Sequence, residues 1–171
     1  VIVAMTESEA HDAVDMMLID NGMGIAGAKV VIEEFLAGEE ASFIVMIDGE
    51  NILPLATSQD HKRLLNNDLG PNTGGMGAYS PAPVVTPAIH SQVIKEVIEP
   101  VVEGMKAAGT PFVGFLYAGL MIAPDGAIKV LEFNCRLGDP ETQPIMMRLK
   151  SDLLTLVDHA LAGKLDKIKS E

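Results

Sequence analysis

The apolar positions of this chain fall into runs whose spacing changes from segment to segment. Ala10, Ala13, Val14, Met17 and Leu18 recur at helical spacing and mark one face of a helix. Thr6 precedes that run and Glu9 follows three residues later, a capping-box pattern; Asn21-Gly22 and Gly24 mark the helix end. Val1–Met5 is an apolar run of strand length, and Val30–Leu36 is a second one, rich in β-branched residues. Ala41–Ile47 and Ile52–Ala56 flank Asp48-Gly49, which predicts a hairpin. Thr86-Pro87 opens another helix, with Ile89, Val93, Val97, Val101 and Met105 on one face and Pro100 expected to kink it. Phe112–Ala123 and Ile128–Phe133 flank Pro124-Asp125-Gly126 as a second hairpin. Leu153, Leu156, Val157, Ala160 and Leu161 mark a last helix, stopped by Gly163. The pattern predicts an α+β domain with mostly antiparallel strands and flanking helices, without repeat or linker.

Two stretches carry no periodicity. Thr57–Pro83 holds glycines, prolines and charged residues, and Asn134–Glu141 is polar and irregular. A loop as long as the first is usually functional or disordered. Its few apolar anchors predict that it orders only around a ligand.

Composition narrows the function classes. Twelve Lys and Arg against twenty-four Asp and Glu leave a net charge of −12. That argues against a nucleic-acid partner or an anionic membrane surface, both of which demand broad positive patches. Cys135 is the single cysteine, which rules out a disulfide framework and points to the cytoplasm. The longest uncharged run, Ala107–Pro124, is broken by three glycines and two prolines and does not read as a membrane span. The chain opens on Val1 rather than Met, and reads as a piece of a longer protein. Cys135 and the methionines are expected as core filler, and His11, His90 and His159 as surface residues of helices.

Four groups of residues could carry chemistry. Glu132 and Asn134 lie two apart at a strand end, so both side chains leave one face. A carboxylate and an amide oxygen suit Mg²⁺ shared with nucleotide phosphates, and Arg136 could neutralise phosphate oxygens. The bland alternative is a polar strand end. Gly70-Pro71-Asn72-Thr73-Gly74-Gly75-Met76-Gly77 could let backbone N–H groups approach an anion, or be a flexible turn. Ser58–Arg63 concentrates Lys62, Arg63 and His61 beside Asp60, which suits an anionic substrate or a solvated charge run. Glu33, Glu34, Phe35 and Leu36, with Glu39 and Glu40 beyond Gly38, could form an edge strand that reads an adenine through its backbone and a ribose through a carboxylate. Charge protecting an exposed sheet edge is the alternative.

Taken together, VIEEFLAGEEASFIVMIDGE, LATSQDHKR, GPNTGGMGAYSPAP, GFLYAGLMIAPDG and KVLEFNCRLGDPETQPIM resemble, in order and across essentially the whole chain, the ATP-grasp domain of the glycinamide ribonucleotide synthetase (phosphoribosylamine–glycine ligase) family. The resemblance implies an ATP-grasp fold. It implies a ligase of de novo purine biosynthesis that joins glycine to 5-phosphoribosylamine through a glycyl phosphate, releasing ADP and phosphate. ATP is implied as substrate and Mg²⁺ or Mn²⁺ as cofactor. Carried over by position, Glu132 and Asn134 hold the metal, and Glu33, Glu34, Phe35 and Leu36 form the adenine hinge. Glu40 contacts ribose, and Arg136 acts on the phosphoryl group. Asp60, Gly74, Gly75, Arg136 and Asp139 line the glycine and phosphoribosylamine side. Many ATP-grasp enzymes carry a third metal-binding carboxylate, and Gly119 stands nearest that position here. The resemblance further implies that substrate and C-terminal domains lie outside these residues, so that this piece alone is inactive.

Overall fold

The computed structural model describes residues 1–20 and 22–170, with Asp68 described for its backbone only. The chain divides into two compact units, Val1–Leu36 and Ala37–Glu171.

In the first unit, helix α1 spans Glu7–Leu18. Thr6 Oγ1 accepts from Glu9 N at 3.2 Å while Glu9 Oε2 accepts from Met5 N at 2.7 Å, so the cap expected from the sequence forms. Asn21, half of the expected stop signal, lies outside the described residues. Gly24–Ala28 forms a short 3₁₀ turn. Val1–Met5 and Val30–Leu36, both expected as strands, are not strands. A strand exists by its ladder of partners, and among the described residues neither segment has one. Val31 and Ile32 are accordingly 84% and 83% exposed.

The second unit is built on a four-stranded antiparallel sheet in the order β2-β1-β7-β8. Its strands are β1 (Glu39–Asp48), β2 (Ile52–Pro54), β7 (Val113–Ile122) and β8 (Ile128–Asn134). Residues 41–47 of β1 are all buried, because the sheet is covered on both faces and the strand therefore reads as a continuous apolar run. On one face Phe43, Val45, Ile47, Leu116, Ala118 and Leu120 pack against Val93, Val97, Ile98 and Val102. These last four belong to one long helix of α2 (Pro87–Val93), a π-helical turn (Ile94–Ile98) and α3 (Glu99–Ala107). The irregularity expected at Pro100 takes the form of that π turn. Proline has no N–H to donate, and Glu99 N instead reaches Ile94 O.

The opposite face carries Ile44, Met46 and Tyr117, packed with Ile145, Leu156, Ala160 and Leu165. Helix α4 (Thr142–Arg148), for which no periodicity argued, and α5 (Leu153–Leu161) cover this side. Asp48 closes the β1–β2 turn by accepting from Glu50 N and Asn51 N, and it also anchors Leu165 N at 3.0 Å.

Three expectations are corrected. Residues 57–83 are not structureless: β3 (Gln59–Asp60) pairs with β6 (Ala78–Tyr79), and β4 (Arg63–Leu65) with β5 (Leu69–Asn72). Asn67, at φ 58°, makes the tight turn between β4 and β5, a conformation asparagine tolerates. Cys135 is exposed rather than core filler, and of the methionines Met46 is buried while Met76 and Met147 are 59% and 87% exposed. His90 is half-buried, its ring 4.9 Å from that of Phe43, and burial lowers its pKa. No helix among the described residues is long and apolar enough to cross a membrane.

Candidate functional site

Strand register decides where the polar side chains of the sheet gather. Ser42 on β1 lies opposite Gly119 on β7, and Gly119 lies opposite Glu132 on β8. Ser42 also bridges Ser58, with mutual backbone hydrogen bonds of 2.8 and 3.2 Å. The next row is Ile44, Tyr117 and Asn134. Adjacent strands lie about 4.8 Å apart, so Glu132 and Ser42 sit about 10 Å apart across one face of the sheet.

Glu132 reaches that face because β8 is irregular. Its register shifts between Val130, opposite Leu120, and Glu132, opposite Gly119, leaving Leu131 as an extra residue. Without this bulge, alternation would put Glu132 on the same face as Ile128, which packs against the α2–α3 side. With it, Glu132 and Asn134 stand on the face of Tyr117. Among the described residues neither side chain has a hydrogen-bond or ion-pair partner, and no three His, Cys, Asp or Glu side chains converge as a complete metal cage. Two oxygen donors on one face, without partners among the described residues, are of a type that fits a hard divalent cation such as Mg²⁺ or Mn²⁺.

Beside this pair lies a buried polar network that sequence reasoning missed. Ser42 Oγ donates to Glu141 Oε1 at 2.7 Å and lies 3.1 Å from the Tyr117 hydroxyl. The serine has one proton, so Tyr117 donates to Ser42 and Ser42 to Glu141. Glu141 is 2% exposed. Burial first, then the charge of Glu141, hold the Tyr117 phenol protonated and push its pKa up to about 12. A serine within the apolar run of β1 was the signal available for this network.

Glu40 is held by an ion pair, its Oε2 accepting from Lys62 Nζ at 2.6 Å. Burial works against the charge on Lys62, but the Glu40 hydrogen bond and the charges of Glu40 and Asp60 outweigh it and hold the pKa above the ordinary ammonium value. Asp60 is pushed up by burial, then pulled down by Lys62 and raised again by Glu141 and Glu40. Ser58 Oγ and Gln59 Oε1 are buried without hydrogen-bond partners among the described residues, while Gln59 Nε2 donates to Glu40 O at 3.1 Å. Asp60 and Glu141 are therefore electrostatic neighbours on the face that holds the Ser42 network.

The glycine-rich segment meets the irregular stretch after β8. Gly75, at φ +120°, packs so closely on it that a Cβ would lie 2.6 Å from Pro140 Cδ and 3.3 Å from Asp139 O. Only glycine satisfies both the backbone angle and the contact. Gly74 stands in open space. Arg136 is exposed, and its Nη1 donates to Leu137 O at 2.9 Å. The structure thus brings together Glu132 with Asn134, Gly75 with Asp139, and Asp60 with Glu40 and Glu141. Glu33, Glu34, Phe35 and Leu36 belong to the first unit and do not form the expected edge strand.

The raised pKa of Asp60 has a definite sign for stability. The fold favours its protonated form, so its contribution is full below the unfolded carboxylate pKa of about 3.9 and is lost as pH rises through the higher folded value. Asp60→Asn is expected to raise the melting temperature at pH 7 more than at pH 4. Thermal unfolding at the two pH values checks this; an equal or opposite shift counts against a carboxylate held against its charge.

Residues 1–142 match the family described as phosphoribosylglycinamide synthetase, ATP-grasp (A) domain. The phosphoribosylamine–glycine ligase of Ralstonia nicotianae is 68% identical over 166 residues, 97% of this chain and 39% of that protein. The enzyme of the same name from Vibrio cholerae is 67% identical over 100% of this chain and 40% of its own length. The crystal structure of phosphoribosylamine–glycine ligase from Thermotoga maritima superposes with a TM-score of 0.80 at 36% identity, over 95% of this chain and 41% of that one. The chain thus spans about two fifths of the length of the curated relatives it matches. With its antiparallel sheet, flanking helices and acidic strand end, the chain belongs to the phosphoribosylglycinamide synthetase ATP-grasp (A) domain family.

Proposed function

We propose that this chain is the nucleotide- and metal-binding part of a longer phosphoribosylamine–glycine ligase of de novo purine biosynthesis, and is inactive alone. The observation that carries the reading is the pair Glu132 and Asn134, without partners among the described residues and on one sheet face beside the Ser42–Tyr117–Glu141 network. Glycine's carboxylate is a poor electrophile. Transfer of the γ-phosphoryl of ATP to a carboxylate oxygen gives glycyl phosphate and ADP. The amine of 5-phosphoribosylamine then attacks the acyl carbon, phosphate leaves, and the amine's proton passes to solvent.

Chemistry of this kind requires positioning and charge neutralisation rather than a protein nucleophile. Glu132 and Asn134 hold a divalent cation, which when bound neutralises and orients the phosphate oxygens. Arg136, exposed at the end of β8, supplies a second positive group to the transferring phosphoryl. Asp60, Gly74, Gly75 and Asp139 line the glycine and phosphoribosylamine side, where Gly75 already packs on Asp139. Glu33–Leu36 provides the adenine contacts through its backbone. Lys62 neutralises Glu40.

Phosphate release by the full-length enzyme carrying this segment tests the reading. Release that requires both glycine and 5-phosphoribosylamine is expected, and none is expected from residues 1–171 alone. Nucleotide binding without substrate-dependent release by the longer protein would leave a binding module and refute the ligase.

A further inference from the structure

Gly119 lies where glycine is a poor choice for a strand. It is buried in the middle of β7, with β1 on one side and β8 on the other. A glycine there weakens the strand relative to alanine. Its backbone does not demand glycine, because its φ lies outside the left-handed region. What distinguishes the position is the space a side chain would take. A Cβ at 119 would lie 3.2 Å from Glu132 Cγ and 3.3 Å from Tyr117 Cε1.

Both neighbours would have to yield by a few tenths of an ångström, and they differ in their freedom to do so. Tyr117 is 5% exposed, packed among Ile44 and Ile145, and tied through its hydroxyl to Ser42. Glu132 is exposed on the edge strand, and its side chain has no partner among the described residues. The displacement therefore falls on Glu132.

We infer that Gly119 is a positioning residue of the metal site: its missing side chain is the recess in which the stem of Glu132 lies, and this sets where the carboxylate meets the cation. The inference rests on the reading of Glu132 and Asn134 as a metal–nucleotide site. Groups that orient metal ligands typically change metal affinity by about 10–100-fold when altered.

The test is Mn²⁺ binding, followed by electron paramagnetic resonance, to the full-length enzyme carrying this segment with a non-hydrolysable ATP analogue. Gly119→Ala is expected to weaken Mn²⁺ about tenfold or more. Its melting temperature should be unchanged or higher, since alanine suits a strand better than glycine. In a Glu132→Ala background the same change should have no further effect on Mn²⁺, since the group it displaces is gone. Should Gly119→Ala fail to fold, Gly119→Ala/Tyr117→Leu removes the ring contact and should still lose Mn²⁺ affinity. Unchanged Mn²⁺ affinity, or an equal loss in the Glu132→Ala background, overturns the inference alone. If the unsubstituted enzyme binds the nucleotide without Mn²⁺, the reading of the metal site falls, and the role of Gly119 with it.

Discussion

Glu132→Gln in the full-length enzyme is expected to lower kcat/KM for ATP by at least about 100-fold, because about 3 kcal/mol of charge stabilisation at the metal is lost. Glutamine preserves the size of the side chain and one oxygen donor, so the change isolates the negative charge. Among the described residues Glu132 has no hydrogen-bond or ion-pair partner to lose. The Mg²⁺ concentration for half-maximal rate should rise together with the fall in kcat/KM, while the melting temperature stays within about 1–2 °C, as for surface changes remote from packing. Steady-state phosphate release across a Mg²⁺ titration measures both quantities. An unchanged rate and Mg²⁺ dependence would remove Glu132 from the metal site.

Ser42→Ala is expected to destabilise the fold by about 2–3 kcal/mol, the cost of leaving a buried charged group without its hydrogen bond. Alanine keeps the Cβ of serine and removes only the hydroxyl, so it offers no donor and adds no bulk. Glu141, 2% exposed, would lose the 2.7 Å bond from Ser42, and the Tyr117 hydroxyl would lose its acceptor. For a chain of this size the loss corresponds to roughly 5–10 °C in melting temperature. Urea unfolding should show a lower midpoint at an unchanged slope. A variant as stable as the parent would mean that Glu141 is satisfied by solvent and that the network contributes no stability.

The network and the Glu132–Asn134 pair share one structural origin. Both stand on the face of the sheet that α4 and α5 cover, at the end where apolar residues give way to Ser42, Gly119 and Glu132. Towards α5 the same face is closed by Ile44, Met46 and Leu156. Besides Glu132, the polar end carries the carboxylates of Glu40, Asp60 and Glu141, with Lys62 bonded to Glu40. Burial foremost, with Glu141 and Glu40 adding to it against the pull of Lys62, holds the Asp60 pKa above the ordinary carboxylate value there.

Much of this was legible along the chain. The helix α1 cap at Thr6 and Glu9, the hairpins around Asp48-Gly49 and Pro124-Asp125-Gly126, and α5 up to Gly163 follow from local propensity and periodicity, which neighbours three or four residues away decide. The donor types of Glu132 and Asn134 and the conformational need for Gly75 were equally local. Pairing was not. Val1–Met5 and Val30–Leu36 have strand composition but no ladder partner among the described residues, and composition alone cannot supply one. Nor did the sequence mark the extra residue Leu131, which turns Glu132 away from the face of Ile128. Cross-strand register then set Gly119 under Glu132, and tertiary packing brought Glu141 to Ser42 from ninety-nine positions away. Side-chain types and local turns are properties of short segments, whereas a site requires distant segments to meet, and only burial of both faces of the sheet determines which ones do.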